Sequence, residues 1–196
     1  MVSSPPVTRM FGAPWVRWLL PIVAGTVAVG CRRTNHSHVS SFTPPPLPAG
    51  FVTVSAPGWR IAIPSTWKAD NVRRRGVYAA TDPQSVDDFH AAVNVYTEPF
   101  VRDSYAYARA GEVGLRSRPN VAIDVEREEL VDGDPTLVIE SRWTPTPSSS
   151  VAYRTMQVSL ASRGVGTVAT CAAATNAFER YRSTCESIVR SLAVER

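Results

Sequence analysis

Six carboxylates within residues 124–134 form the densest group of side chains that could carry chemistry. They are Asp124, Glu126, Glu128, Glu129, Asp132 and Asp134. Alternation along a strand places Asp124, Glu126 and Glu128 on one sheet face, where carboxylates can hold a cation. Calcium loops require a characteristic ligand spacing that this segment lacks, so a solvated strand face is favoured and no metal site is predicted.

His90 is the single histidine of residues 51–196 and the first candidate for acid–base catalysis. No Gly-x-Ser-x-Gly elbow accompanies it, and Gly164-Val165-Gly166 lacks the helix that should follow a phosphate-binding loop. A hydrolase using His90 and a serine is therefore the least favoured hypothesis. The sequence predicts a domain that is not an enzyme and has no cofactor.

The basic residues are not concentrated enough to indicate nucleic acid binding. The net charge of +4 comes from 21 Lys and Arg against 17 Asp and Glu, and two of the arginines, Arg9 and Arg17, precede Cys31. The run Arg73-Arg74-Arg75 is interpreted as an exposed loop, with contact to anionic lipid as the alternative. His36 and His38 lie in a polar, proline-rich segment and make a weak metal site.

The N-terminal segment has the layout of an export signal. Arg9 and Arg17 precede an apolar run of 12 residues, Trp18–Val29, which is short for a membrane span and typical of a signal peptide. The following Val29-Gly30-Cys31 resembles a bacterial lipobox, although Ala28 replaces the usual larger aliphatic residue. This resemblance implies lipidation of Cys31 with acyl chains such as palmitate. The alternatives are an ordinary secretory signal or an uncleaved anchor, with Cys31 incidental.

Three cysteines are present: Cys31, Cys171 and Cys185. If Cys31 is lipidated, an even pair remains in an oxidising compartment, where disulfides persist. We therefore predict a Cys171–Cys185 bridge.

Three tryptophans of the domain, Trp59, Trp67 and Trp143, are candidates for a ligand groove between sheet and helix. Core or core-edge positions are the favoured interpretation, because tryptophan contributes a large apolar area.

From Phe51 onward the hydrophobic pattern predicts short strands and two helices. Helices are predicted over about 102–118 and about 176–192, the second with an apolar stripe that includes Cys185. Alternating segments joined by turn signals predict antiparallel strands over 60–64, 77–81, 91–97, 121–129, 136–143, 151–160 and 165–171. The order predicts an α+β fold, an antiparallel β-sheet with helices packed on one face.

Two segments resemble PsbP-like domains. GWRIAIPSTWKAD, with Ile61, Pro64 and Trp67, is similar to their entry hairpin, and FERYRSTCESIVRSL, with Tyr181 and Leu192, is similar to their closing helix. The resemblance implies a PsbP-like α/β sandwich over roughly 51–193, serving mostly as an accessory or protein-binding module. It brings no functional motif that can be assigned residue by residue.

The predicted organisation is a lipoprotein signal peptide over 1–30, a lipid-anchored tether over 31–50 and a PsbP-like globular domain over 51–196. The predicted function is a non-catalytic lipoprotein of the cell envelope, on the periplasmic or another extracytoplasmic face. Its expected partners are the membrane, through Cys31, and an envelope protein. The alternatives are an anchored binder of a small or lipidic ligand, and an envelope hydrolase.

Overall fold

The computed structural model describes residues 47–70, 77–86, 89–144 and 151–196. Every strand and helix predicted from the sequence is present, and most of the strands are longer than predicted. The helices are α1 (Ser104–Arg116) and α2 (Phe178–Arg190). The strands are β1 (Phe51–Ala56), β2 (Trp59–Pro64), β3 (Lys68–Asp70), β4 (Val77–Val86), β5 (Phe89–Pro99), β6 (Val121–Val131), β7 (Asp134–Trp143), β8 (Tyr153–Ser162), β9 (Val165–Ala174) and β10 (Ala193–Val194).

The described strands form two antiparallel sheets. The larger has seven strands in the order β3-β4-β5-β9-β8-β7-β6, and the smaller has three in the order β1-β2-β10. All the strand pairs are antiparallel. The predicted α+β class, an antiparallel sheet with helices packed on it, is confirmed.

The two helices lie on opposite faces of the large sheet, whereas the sequence analysis expected both on one face. In β7, Val138 belongs to the core shared with α2, whereas Leu137 and Ile139 pack with α1. Both faces of the middle strands are therefore covered. The sequence shows this as the continuous apolar run Leu137-Val138-Ile139, since a strand buried on both faces does not alternate.

Two tight turns set the register of the long hairpins. Asp132 and Gly133 have φ of 52° and 81°, and Arg163 and Gly164 have φ of 50° and 79°. Positive φ at both central positions is the geometry whose twist matches that of the flanking strands. Both turns lie in the gaps between neighbouring strands that the sequence predicted.

The two glycines at the contact of α1 with the sheet give opposite predictions. A Cβ on Gly166 of β9 would lie 2.5 Å from the buried ring of Tyr107, whereas one on Gly111 of α1 would have its nearest neighbours at 3.8 Å. We expect Gly166→Ala to lower the free energy of unfolding by about 1–3 kcal/mol through overpacking. Gly111→Ala should raise it by up to about 1 kcal/mol, because alanine favours a helix interior. Urea unfolding of both variants tests this, and a destabilised Gly111→Ala variant beside an unaffected Gly166→Ala variant would contradict it.

Candidate functional site

Asp124, Glu126 and Glu128 do not share one face of the sheet. The register of β6 against β7 shifts between Ile123 and Val125, which marks a β-bulge. Beyond the bulge, Glu126 and Glu128 lie on the α1 side, whereas Asp124 pairs with arginines on the α2 side. The prediction of a common face is wrong because strict alternation does not survive an inserted residue.

On the α1 side, the carboxylates of β6 form ion pairs with the helix. Arg109 pairs with Glu126 and, at 3.2 Å, with Glu128, while Arg116 reaches Glu126 at 2.9 Å. Glu112 is buried between these arginines, and the hydrogen bonds from Arg116 and Arg109 hold its carboxyl pKa below the usual range. These pairs replace the solvated strand face that the sequence analysis favoured.

On the α2 side, three arginines surround one buried carboxylate. The Glu140 side chain is 1% exposed, and both its oxygens accept hydrogen bonds of 2.7 Å from Nη1 of Arg182. Arg154 lies 3.5 Å away and Arg127 3.8 Å away. Sequence analysis missed this cluster, although a glutamate directly after the apolar run Leu137-Val138-Ile139 was a readable signal.

A second ring of acidic groups neutralises the arginines around Glu140. Arg154 also pairs with Asp124 and Glu179, and Arg182 with Glu179. Hydrogen bonds from Arg182 are the main reason why the pKa of Glu179 falls to about 2. The guanidinium planes of Arg154 and Arg182 lie over the ring of Phe178, at 4.7 and 5.3 Å from its centroid. The ion pairs around Glu140 and Glu179 therefore hold α2 on the sheet.

Within the described part of the chain, no group of three or more His, Cys, Asp or Glu side chains could hold a metal ion. The carboxylates that sequence analysis singled out are directed at arginines instead, as the pairs above show.

His90 lies on β5 beside the bulge that Asp82 begins in β4. Its Nδ1–H donates to the carbonyl oxygen of Asp82 at 2.8 Å, and its side chain is exposed. The carboxylate of Asp82 accepts hydrogen bonds from the Tyr181 hydroxyl and from the backbone N–H of Gln84. The contacts of Asp82 thus tie β4 to α2. Ser85 lies directly opposite His90 in the β4–β5 pair, but the hydrogen bond of the His90 ring goes to the Asp82 carbonyl rather than to the Ser85 hydroxyl.

The structure joins Cys171 and Cys185 by a disulfide, with their Cα atoms 5.3 Å apart. Both residues are fully buried. Cys171 belongs to β9 and Cys185 to the sheet-facing side of α2, so the bridge fastens the helix to the sheet as the sequence predicted.

Comparison with solved structures identifies the fold. Cyanobacterial PsbP (CyanoP) from Synechocystis sp. PCC 6803 is similar, with a TM-score of 0.52 at 13% identity over 80% of this chain and 99% of that chain. LpqN, described as involved in cell envelope biogenesis of Mycobacterium tuberculosis, has a TM-score of 0.54 at 12% identity over 74% and 91%. PA94 of Pseudomonas aeruginosa, a protein of unknown function, has 0.51 at 12% over 76% and 99%.

The fold is PsbP-like. At these identities the likeness concerns the fold alone. No protein-family model matches the chain, and no curated protein matches it.

The PsbP-like domain does not bring the three candidate tryptophans together. Trp59 and Trp67 are buried in the core that includes α2. Trp143 packs at the edge of the α1 side, where its ring stacks on Tyr153 at 5.5 Å between centroids. Trp59 lines a cavity of about 460 Å³ that also borders Arg60 of β2.

A larger groove of about 610 Å³ runs between β2 and α2. Leu47 and Pro48, the first described residues, line it together with Arg60 and Arg190. Ser191 and Ala62 also line the groove, and they connect its two sides, because the Ser191 hydroxyl accepts a hydrogen bond of 2.8 Å from the backbone N–H of Ala62. No candidate tryptophan lines this groove, and sequence analysis gave no signal for it.

Cys31, His36, His38 and Arg73-Arg74-Arg75 lie outside the described residues. In the described ranges, neither helix is long and apolar enough to cross a membrane.

Proposed function

We propose that this chain is an envelope lipoprotein, anchored to a membrane through Cys31, whose PsbP-like domain is a non-catalytic accessory or protein-binding module. The observation that carries the proposal is that the cysteines and many of the acidic residues, which could otherwise carry chemistry, stabilise the fold. The domain's two cysteines form a disulfide, and the acidic residues of β6 and β7 pair with arginines that fasten both helices.

Two observations support an extracytoplasmic location. A buried disulfide persists in oxidising compartments and is rare in the cytoplasm. LpqN, which has the same fold, is described as acting in cell envelope biogenesis.

The lipid anchor rests on the sequence, where Val29-Gly30-Cys31 follows the apolar run. The predicted tether of residues 31–50 would reach at most about 65 Å when fully extended, which is enough to hold the domain clear of a membrane surface.

The two alternatives have less support. A ligand groove lined by tryptophans would need Trp59, Trp67 and Trp143 on one side of the sheet, whereas Trp143 lies on the opposite side from the other two. A hydrolase would need a nucleophile activated by His90, and the His90 ring donates its hydrogen bond to the backbone carbonyl of Asp82 instead of contacting the neighbouring Ser85 hydroxyl.

The anchor gives a direct prediction. Mass spectrometry of the mature protein should find an N-terminus at Cys31 carrying acyl chains, and the protein should fractionate with membranes. Cys31→Ala should abolish the modification and release the protein from membranes.

In a strain lacking the gene, Cys31→Ala should fail to restore the wild-type phenotype, whereas the matched variant His90→Ala should restore it. An unmodified N-terminus elsewhere would refute the lipoprotein, and loss of complementation by His90→Ala at normal protein levels would favour an enzyme.

A further inference from the structure

Three of the four edges of the two sheets are protected against pairing with another strand. β3 is three residues long and carries Lys68 and Asp70. β6 contains a bulge and five charged residues. β10 is two residues long, and the Asp132 carboxylate accepts the backbone N–H of Val194 at 3.1 Å. Short length, charged side chains and bulges are the usual means by which proteins block the pairing of an edge strand.

β1 forms the fourth edge and has none of these features. Its six residues, Phe51–Ala56, include no charged residue and no proline, and they pair one to one with β2 without a bulge. Among the described residues, no strand pairs with the other side of β1, and Val52 is 45% exposed. β1 therefore presents a regular row of backbone N–H and C=O groups that is complementary to another extended strand.

The chain that precedes β1 is poorly suited to pair with this edge. It reaches β1 through a turn, in which the Phe51 N–H donates to the Pro48 carbonyl at 3.2 Å. Four of the six residues 43–48 are prolines, which have no backbone N–H to donate. A segment with so few donors cannot complete a ladder of hydrogen bonds with β1, so the complementary strand must come from another molecule.

We propose that β1 pairs with β1 of a second copy of the chain, antiparallel, so that the two small sheets join into one sheet of six strands. With Thr53 on the two-fold axis, Val52 lies opposite the partner's Val54. Val54 packs against the core, and residues two apart share a face, so this register extends the apolar face and covers Val52. Pairs of β-branched residues and Thr–Thr pairs are favourable across strands.

Two features favour a second copy over a strand of another protein. Arg60 is the single charged residue of the β1–β2 hairpin, residues 51–64. In this register the Arg60 residues of the two copies lie about 20 Å apart, so self-pairing brings no like charges together. β1 also offers no charge that would select an oppositely charged partner. An isologous pair covers both exposed edges at once and closes the assembly.

Disulfide crosslinking tests the register. Thr53→Cys places two cysteines opposite each other on the axis, with Cα atoms about 4.5–5.5 Å apart, a separation that a disulfide spans. Ser55→Cys is the matched control on the same face of the same strand, because its two cysteines would lie about 14 Å apart. Full-length Thr53→Cys, exported and purified without reductant, should run as a covalent dimer on non-reducing gels, and Ser55→Cys as a monomer.

Light scattering and native mass spectrometry of the full-length chain in mild detergent measure the pairing without a crosslink. The wild-type protein should be dimeric at about 50 μM, above the micromolar dissociation constants expected for a small interface. Val52→Lys should raise the dimer dissociation constant by about 10-fold or more, because it sets a charge against the partner's Val54. Val113→Lys, at a valine that is 66% exposed on α1, should leave the dissociation constant unchanged.

Circular dichroism and an intact Cys171–Cys185 bridge show whether each variant is folded. A wild-type monomer at the concentration given above, equal crosslinking by Thr53→Cys and Ser55→Cys, or a dimer that survives Val52→Lys would each overturn the proposal. A crosslink from Thr53→Cys to a different protein, in place of the second copy, would overturn it as well.

Discussion

Glu140→Ala is expected to lower the free energy of unfolding by about 3 kcal/mol, near the lower end of the range for breaking a buried ion pair. Glu140 is fully buried, and its removal leaves Arg127, Arg154 and Arg182 facing one another without the carboxylate between them. These arginines are 17–38% exposed, so water can rehydrate them in part, which is why the upper end of the range is not expected. Urea unfolding followed by circular dichroism measures the effect.

Two further variants isolate the physical cause. Glu140→Gln keeps the side-chain volume and removes the charge, so it should account for most of the loss. Glu128→Ala, whose side chain is 65% exposed in its pair with Arg109, should cost less than about 1 kcal/mol. Equal losses at Glu140 and Glu128 would show that burial of the carboxylate contributes nothing, contrary to the prediction.

The second large effect is expected at the disulfide. Cys171→Ala and Cys185→Ala should each lower the free energy of unfolding by about 3 kcal/mol, the chain-entropy value for a loop of this length. The sequence separation of the two cysteines is 14 residues. The double variant should lose little more than either single variant, because each substitution already removes the same bond.

Cys31→Ala is the control and should leave the unfolding free energy of the domain unchanged, because Cys31 belongs to the segment that is predicted to be a tether. Both bridged cysteines are fully buried, so the native protein should also resist alkylation under non-reducing conditions. Two reactive thiols in the untreated protein, or additive losses in the double variant, would contradict the bridge.

Helix α2 shows why some elements were predictable from sequence. Phe178, Tyr181, Cys185 and Ile188 recur at helical spacing, and all four are buried in the structure. That pattern is local, so it fixes the helix, its buried side and the direction of Cys185. The strand predicted to end at about Cys171 also follows from a local pattern. Because only a short connection joins this strand to α2, the two cysteines were expected to lie near each other.

The surroundings of Glu140 show why the candidate site was not predictable. Its arginines come from β6, β8 and α2, which are separated along the chain by tens of residues. Their meeting depends on the strand order β8-β7-β6 and on the side of the sheet that α2 covers. Strand alternation alone also misplaced Asp124, because a bulge after Ile123 changes the direction of the residues beyond it.

The sequence by itself determined the α+β class, the helices and the hairpin turns, because each follows from periodicity or turn chemistry within a short segment. The disulfide partners followed from the count of three cysteines, with Cys31 assigned to lipidation. The export signal and the lipidation of Cys31 remain predictions of the same local kind. Only the tertiary structure decided that the helices lie on opposite faces, that the carboxylates are paired with arginines, and that the tryptophans are separated. The reason is that register and the face on which a helix packs are set by contacts between distant segments, about which local patterns carry little information.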